Sequence, residues 1–375
     1  MTNVSVPSIS TATPSASDTV LGVVGSDLKR FSVSDLRLAA PEMVTPPYVF
    51  GVTGRECNVY FDNLFPGAAA DCLIDAAASY GKHQNERWTW TPAGVLDAGT
   101  LVVSSSDRRT GAALASATVQ IRAAAANAGS GATKKVLVVG DSLVSQNTIT
   151  QTVLDIASGD VMGVTMLGTQ GTGANKHEGH SGWTINLFVT SGSPFYISGA
   201  VNFAQYLVNN SLATPDWVFI ALGINDCFSQ STDAGTVSLT TTAFASLDTL
   251  IASIKAADAG IKVGLVVPPP PSFDQDSFGE NYDAGQVRWR FKRNILVWAR
   301  ELIAKYTGQE ASRIYLIPSN TALDTVNNMN RAASAPVNSR SSVNVTRQSN
   351  GVHPATSGYQ QIGDAWWAFL KYYAA

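Results

Sequence analysis

The sequence predicts an α/β fold built on a parallel sheet, preceded by a small β domain. From Lys134 to Ala375, short apolar runs without period-two alternation recur between helical stretches, as expected of strands covered on both faces. From Pro46 to Ala123, short apolar or aromatic runs are separated by turn residues, and Ala115 to Ile121 alternates with period two, the pattern of antiparallel strands in a sandwich. Between them, Ala123 to Thr133 consists almost entirely of small residues and reads as a flexible linker. The expected organisation is a segment over 1–40, a β-sandwich over 41–125, a linker over 126–133 and an α/β domain over 134–375.

Bulk properties agree. The chain has 375 residues, 45% hydrophobic and 14% charged, which excludes disorder throughout and leaves room for a large core. A net charge of -3 leaves no electrostatic footprint for nucleic acid or an anionic membrane, so small neutral partners fit better. No membrane insertion is expected. Cys57, Cys72 and Cys227 lack the spacing of a zinc site or a disulfide framework, with a Cys57–Cys72 pair left open. Residues 1–18 are polar and Pro-containing, without the apolar stretch of a secretory signal.

The elements follow in order. Asp18 to Leu36 reads as a hairpin around Gly25-Ser26-Asp27, leading to a helix start at Ser34-Asp35. This stretch resembles N-terminal segments of phage and prophage tail proteins, which implies an attachment element. In the β region, Tyr48–Val52, Asn58–Phe61, Glu86–Thr91 and Thr100–Ser104 are strand candidates; Trp88 and Trp90 offer a sugar platform, although aromatics in strands are more often core. In the α/β region the strands are expected at Val136–Val139, Val164–Leu167, Trp217–Leu222, Ile261–Val267 and Ile314–Ile317. Helices are expected at Val144–Ala157, Val201–Asn209, Thr241–Ala257, Gln286–Lys305 and Ser357–Tyr373.

Reactive groups of a parallel sheet gather beyond the carboxyl ends of its strands, and three stretches fall there. Gly140-Asp141-Ser142-Leu143 joins a strand to a helix, so Ser142 is either a helix cap or an exposed nucleophile beside unpaired N–H groups. Gly223-Ile224-Asn225-Asp226 follows another strand and is either a turn or the source of a side-chain amide for an oxyanion. Asn350-Gly351-Val352-His353-Pro354 places one of only four histidines on a loop, where proton transfer suits it better than on an apolar helix face.

In this order the three stretches resemble the SGNH or GDSL hydrolase family, over about 240 residues. The resemblance implies a flavodoxin-like αβα sandwich, with Ser142 as nucleophile and N–H donor, His353 as general base and Asn225 as side-chain oxyanion donor. It also implies an oxyanion glycine after the second strand, for which Gly182 matches best and Gly179 second. The run His177-Glu178-Gly179-His180-Ser181-Gly182-Trp183 is similar to one common in carbohydrate acetyl esterases of the same family. A metal site is the rival reading of its histidines, against which their spacing of three argues. No cofactor is required.

One position departs from the family. Asn350 stands where an aspartate usually precedes the histidine by three residues. An amide can still orient the imidazole through its carbonyl oxygen, but it supplies no negative charge to an imidazolium, and the analogous loss in serine proteases costs about four orders of magnitude in rate. Asp324, Asp364 and Glu178 are candidate substitutes.

The resulting expectation is a serine esterase, foremost an O-acetyl esterase acting on a bacterial surface polysaccharide or other acetylated glycan. Trp183 and Phe228, next to motif residues, offer flat faces for a sugar, although packing explains them equally well, and the long loop 268–283 is expected to wall the site. The resemblance to tail proteins implies a place on the virion or release outside the cell, with other tail proteins as partners and a homo-oligomeric state. A non-catalytic receptor-binding protein and a general short-chain acyl esterase or lipase are the alternatives.

Overall fold

The computed structural model describes residues 19–24, 27–32, 42–67, 72–108 and 110–374. Residues 1–41 and 42–375 form separate compact units. In the first, β1 (Thr19–Val24) pairs antiparallel with β2 (Asp27–Ser32) from Thr19↔Ser32 to Val24↔Asp27, which is the expected hairpin. Its turn at Gly25-Ser26 and the expected helix start lie outside the described residues.

The second unit opens with two small sheets. The strands are β3 (Tyr48–Val52), β4 (Cys57–Tyr60), β5 (Cys72–Ala78), β6 (Lys82–His83), β7 (Arg87–Trp90), β8 (Leu96–Asp107) and β9 (Ala113–Ala124). One sheet runs β3-β9-β8-β5 and the other β4-β7-β6. Alternation along β7 and β8 turns Trp88, Trp90, Leu101 and Val103 inward, where they meet Val59, Phe61, Val119 and Ile121. Trp88 and Trp90 are therefore core residues and not a platform. No disulfide joins Cys57 to Cys72.

Segment 126–133, expected as a flexible linker, is bonded to its surroundings: Gly131 N–H donates to Val161 O at 3.1 Å, and Gly163 N–H to Ala132 O at 2.9 Å.

The rest is the predicted α/β sandwich. Its strands are β10 (Thr133–Gly140), β11 (Gly163–Leu167), β12 (Gln170–Thr172), β13 (Asn175–Gly179), then a short hairpin of β14 (Tyr196–Ile197) and β15 (Ala200–Val201), followed by β16 (Trp217–Ala221), β17 (Lys262–Val266) and β18 (Ile314–Ile317). Central β10 carries β11 along its first half and β13 at its last two residues on one side, and β16, β17 and β18 follow in turn on the other. All these pairs are parallel; β12 adds an antiparallel edge to β13. The strand order reverses between β10 and β16, which is where a doubly wound sheet opens its crevice.

The helices are α1 (Ser142–Ser145), α2 (Thr148–Ser158), α3 (Ile185–Phe188), α4 (Phe203–Asn209), α5 (Ile224–Cys227), α6 (Asp233–Ala257), α7 (Asp276–Tyr282), α8 (Arg288–Tyr306) and α9 (Thr356–Tyr372). Helix α2 packs on α9, and α6 packs on α4 and α8. The single helix expected over 144–157 is divided because Asn147 takes a left-handed conformation, φ 65°, which asparagine tolerates. Helix α6 starts eight residues earlier than expected, where Thr232 Oγ1 caps Gly235 N–H at 3.0 Å. It is as long and apolar as a membrane span, at mean hydropathy 1.3, and here it buries Phe244, Leu247, Leu250, Ile251 and Ile254 in the sandwich.

Candidate active site

Strand β10 ends at Gly140, and the chain turns at once into α1. The two approach so closely that a Cβ at Gly140 would lie 2.2 Å from Val144 Cγ2, so only glycine fits. Asp141 closes the turn by accepting from Leu143 N–H at 2.9 Å. Ser142 is the first residue of α1, and its own N–H has no acceptor among the described residues. On the neighbouring strand, β16 leads through Gly223 into α5, which carries Asn225 and Asp226. Ser142 and Asn225 thus flank the reversal point of the sheet.

His353 arrives from the other end of the chain. Its Nε2 lies 2.8 Å from Ser142 Oγ, across 211 residues of sequence. The histidine loop is pinned on several sides. Asn330 Nδ2 donates to the carbonyls of His353 and Pro354 at 3.1 and 3.0 Å, Asn281 Oδ1 accepts from Gly351 N–H at 3.2 Å, and Ser272 N–H donates to Gly351 O at 3.0 Å. Burial lowers the pKa of His353 below its usual value, which keeps the ring neutral and able to accept a proton.

Asn350 does not meet the imidazole. Its Oδ1 accepts instead from the backbone N–H groups of Val352 at 3.0 Å and His353 at 2.8 Å. The oxygen expected to orient the ring is thereby spent on shaping the loop, and what is left of the amide is a donor. The three substitute carboxylates are engaged elsewhere. Glu178 accepts from His180, Tyr206 and Thr169, Asp324 from the backbone of Val326 and Asn327, and Asp364 pairs with Arg55. Among the described residues Nδ1 of His353 has no hydrogen-bond partner.

The geometry also separates the two candidate oxyanion glycines. Gly179 spends its N–H on His177 Nδ1 at 2.9 Å. Gly182 sits exposed at φ +80°, a conformation that favours glycine, and its N–H has no acceptor among the described residues. The turn bearing Gly182 is clamped from α5: Asn225 Nδ2 donates to Trp183 O at 3.0 Å, and Asp226 accepts from Ile185 N–H at 3.1 and 3.3 Å. Asp226 escaped the sequence analysis as a separate role, although it stands inside a motif that was singled out. Asn330 and Asn281 had no signal at all.

The histidines of the His177–Trp183 run do not converge on a common point. His177 Nε2 meets Asn147 Oδ1 at 2.8 Å, while His180 Nε2 meets the fully buried Glu178 at 3.0 Å. Burial opposes ionisation of Glu178, but hydrogen bonds from His180, Tyr206 and Thr169 outweigh it and hold the carboxyl below the usual range. The His180 ring stacks on Trp183 at 4.2 Å. Phe228 is packed against Tyr282 and Phe291 at 4.9 and 5.0 Å. Both aromatic residues expected to face a sugar therefore have packing partners.

A parallel sandwich with a serine and a histidine meeting at its strand ends describes the class of α/β serine hydrolases. The family model for GDSL-like lipase/acylhydrolase matches residues 136–366, more than half of the chain, and the chain belongs to that family of carboxylic ester hydrolases. Among solved structures, a carbohydrate esterase family 3 protein from Talaromyces cellulolyticus is 18% identical, over 63% of this chain and 96% of that one, at TM-score 0.39. A carbohydrate acetylesterase from Sinorhizobium meliloti is 16% identical, over 63% and 98%, at TM-score 0.36. The family assignment rests on the match over 136–366. No curated protein matches the sequence.

Proposed function

We propose that this chain is an O-acetyl esterase acting on a bacterial surface polysaccharide or another acetylated glycan, with Ser142 as nucleophile and His353 as base. The observation that carries the reading is the 2.8 Å contact between His353 Nε2 and Ser142 Oγ. In the first half-reaction His353 Nε2 takes the hydroxyl proton as Ser142 Oγ bonds to the ester carbonyl carbon. The carbonyl electrons move to oxygen, which settles among the N–H groups of Ser142 and Gly182 and the Asn225 amide. Collapse breaks the bond to the sugar oxygen, which leaves with the proton from His353. Water then repeats the sequence on the acyl-enzyme, releasing acetic acid and restoring the serine.

The acetyl and glycan parts of the reading are supported by the run His177 to Trp183 and its similarity to carbohydrate acetyl esterases. The pattern of residues 18–36 supports attachment to a phage-type tail, with other tail proteins and further copies of this chain as partners. The test is acetate release from a panel of O-acetylated polysaccharides. Wild type is expected to release acetate and Ser142→Ala to lose at least about 10³-fold in rate; equal release by both would overturn the reading. One observation favours a second reading, a receptor-binding protein without catalysis: among the described residues no carboxylate is bonded to His353 Nδ1.

A further inference from the structure

We propose that the cleft between the β-sandwich and the hydrolase fold is a carbohydrate-binding subsite, holding a stretch of glycan chain beyond the sugar that is deacetylated at Ser142. The proposal rests on the esterase reading for its substrate class and adds a site to it. The cleft has a volume of about 630 Å³, within the usual range of ligand pockets. Asn85, Glu86 and Arg108 line it from the β-sandwich, and Phe273 and Thr325 from the hydrolase fold, so neither region forms it alone.

The lining has the chemistry of a sugar site. Phe273 is 44% exposed, and the Arg288 guanidinium lies 4.9 Å from its ring centre. A large ring held in water against a fixed cation offers a flat apolar face to the C–H groups of a pyranose. Asn85, Glu86 and Arg108 are exposed, and their side chains have no hydrogen-bond or ion-pair partner among the described residues. An amide, a carboxylate and a guanidinium together donate to and accept from hydroxyl groups. Three carboxylates, Asp62, Glu86 and Asp324, and one guanidinium, Arg108, line the cleft; Asp62 is paired with Arg288 and with buried Lys292 at 2.9 and 2.8 Å, and Asp324 accepts from the backbone of Val326 and Asn327. That lining suits a neutral polyhydroxylated chain better than an anion.

Position links the cleft to the chemistry. Phe273 N–H donates to Thr325 O at 3.1 Å, and the preceding Ser272 N–H donates to Gly351 O, two residues before His353. The ring is therefore tied to the loop that presents the base. The Asp62–Lys292 pair and the Asn63 Nδ2 bond to Leu323 O at 2.8 Å join the two walls, so the cleft exists before any ligand arrives.

The test uses the full chain carrying Ser142→Ala on a glycan array of bacterial and plant polysaccharides, followed by calorimetry on the glycans bound. Phe273→Ala and the double variant Asn85→Ala/Arg108→Ala are each expected to weaken binding about tenfold. In the chain with Ser142 intact, the double variant is expected to leave hydrolysis of 4-nitrophenyl acetate unchanged. Absence of any glycan binding, or binding that neither variant weakens, would overturn the subsite. Glycan binding without Ser142-dependent ester hydrolysis would instead overturn the esterase reading and leave the subsite standing.

Discussion

At Asn350 a single atom decides what the histidine loop can do. Its Oδ1 serves two backbone N–H groups, and an aspartate would serve them with one oxygen and keep a second, charged one for Nδ1 of His353. Asn350→Asp is therefore expected to raise kcat by about 10²–10⁴. Because burial lowers the His353 pKa, the acid limb of kcat/KM is expected below pH 6.5 in the wild type and at higher pH in the variant, where a neighbouring carboxylate favours the imidazolium. A pH–rate profile on 4-nitrophenyl acetate checks both, and an unchanged rate and limb would show that position 350 does not limit catalysis. The departure from the family motif was legible in the sequence. The fate of its oxygen was not, because spacing says which residues are near and not which atom is already spent.

Among the elements, the buried carboxyl of Asp141 and the half-buried one of Asp226 each hold the N-terminus of a short helix beside a proposed oxyanion donor. Asp141 accepts from Leu143 N–H in α1 and Asp226 from Ile185 N–H, the first residue of α3. Burial, the larger cause in each, raises Asp141 to about 7 and Asp226 to about 6, with the Asp226 charge adding to the effect on Asp141. A carboxyl raised above its unfolded value of 3.8 contributes stability below that pH and loses it as pH rises through the folded value. Stability is thus expected to decline between about pH 4 and 7 on account of these two groups. Asp226→Asn keeps an acceptor for Ile185 and removes the titration, so it should flatten the part of the decline between pH 4 and 6, worth about 1–3 kcal/mol. Urea unfolding across that range measures it, and an unaltered slope would exclude Asp226 as the cause. Element types were legible from hydrophobic period, but boundaries moved where a local cap such as Thr232 or a left-handed residue such as Asn147 overrode it.

The whole molecule from Glu42 onward behaves as one unit built on two cores. Phe50 of β3 turns away from the small sandwich and packs on Phe369 and Tyr372 of α9 and on Tyr373, at ring distances of 5.4, 5.2 and 5.7 Å. Phe50→Ala is expected to cost about 3–5 kcal/mol, and the wild type to unfold in one transition by calorimetry. Two separated transitions in the wild type would show that the cores fold independently.

The sequence by itself determined the α/β succession, the small β region and the three strand-end stretches that carry Ser142, Asn225 and His353. Those follow from local pattern, since period, turn residues and strand ends are properties of a few neighbouring positions. Only the tertiary structure decided that Gly182 and not Gly179 keeps an N–H without an acceptor among the described residues, that Trp88 and Trp90 are core, and that Asn350 shapes a loop without touching the ring. The first and third depend on which atom a hydrogen bond two or three residues away has already taken, and the second on which strand face another sheet covers; neither leaves a periodic trace in the sequence.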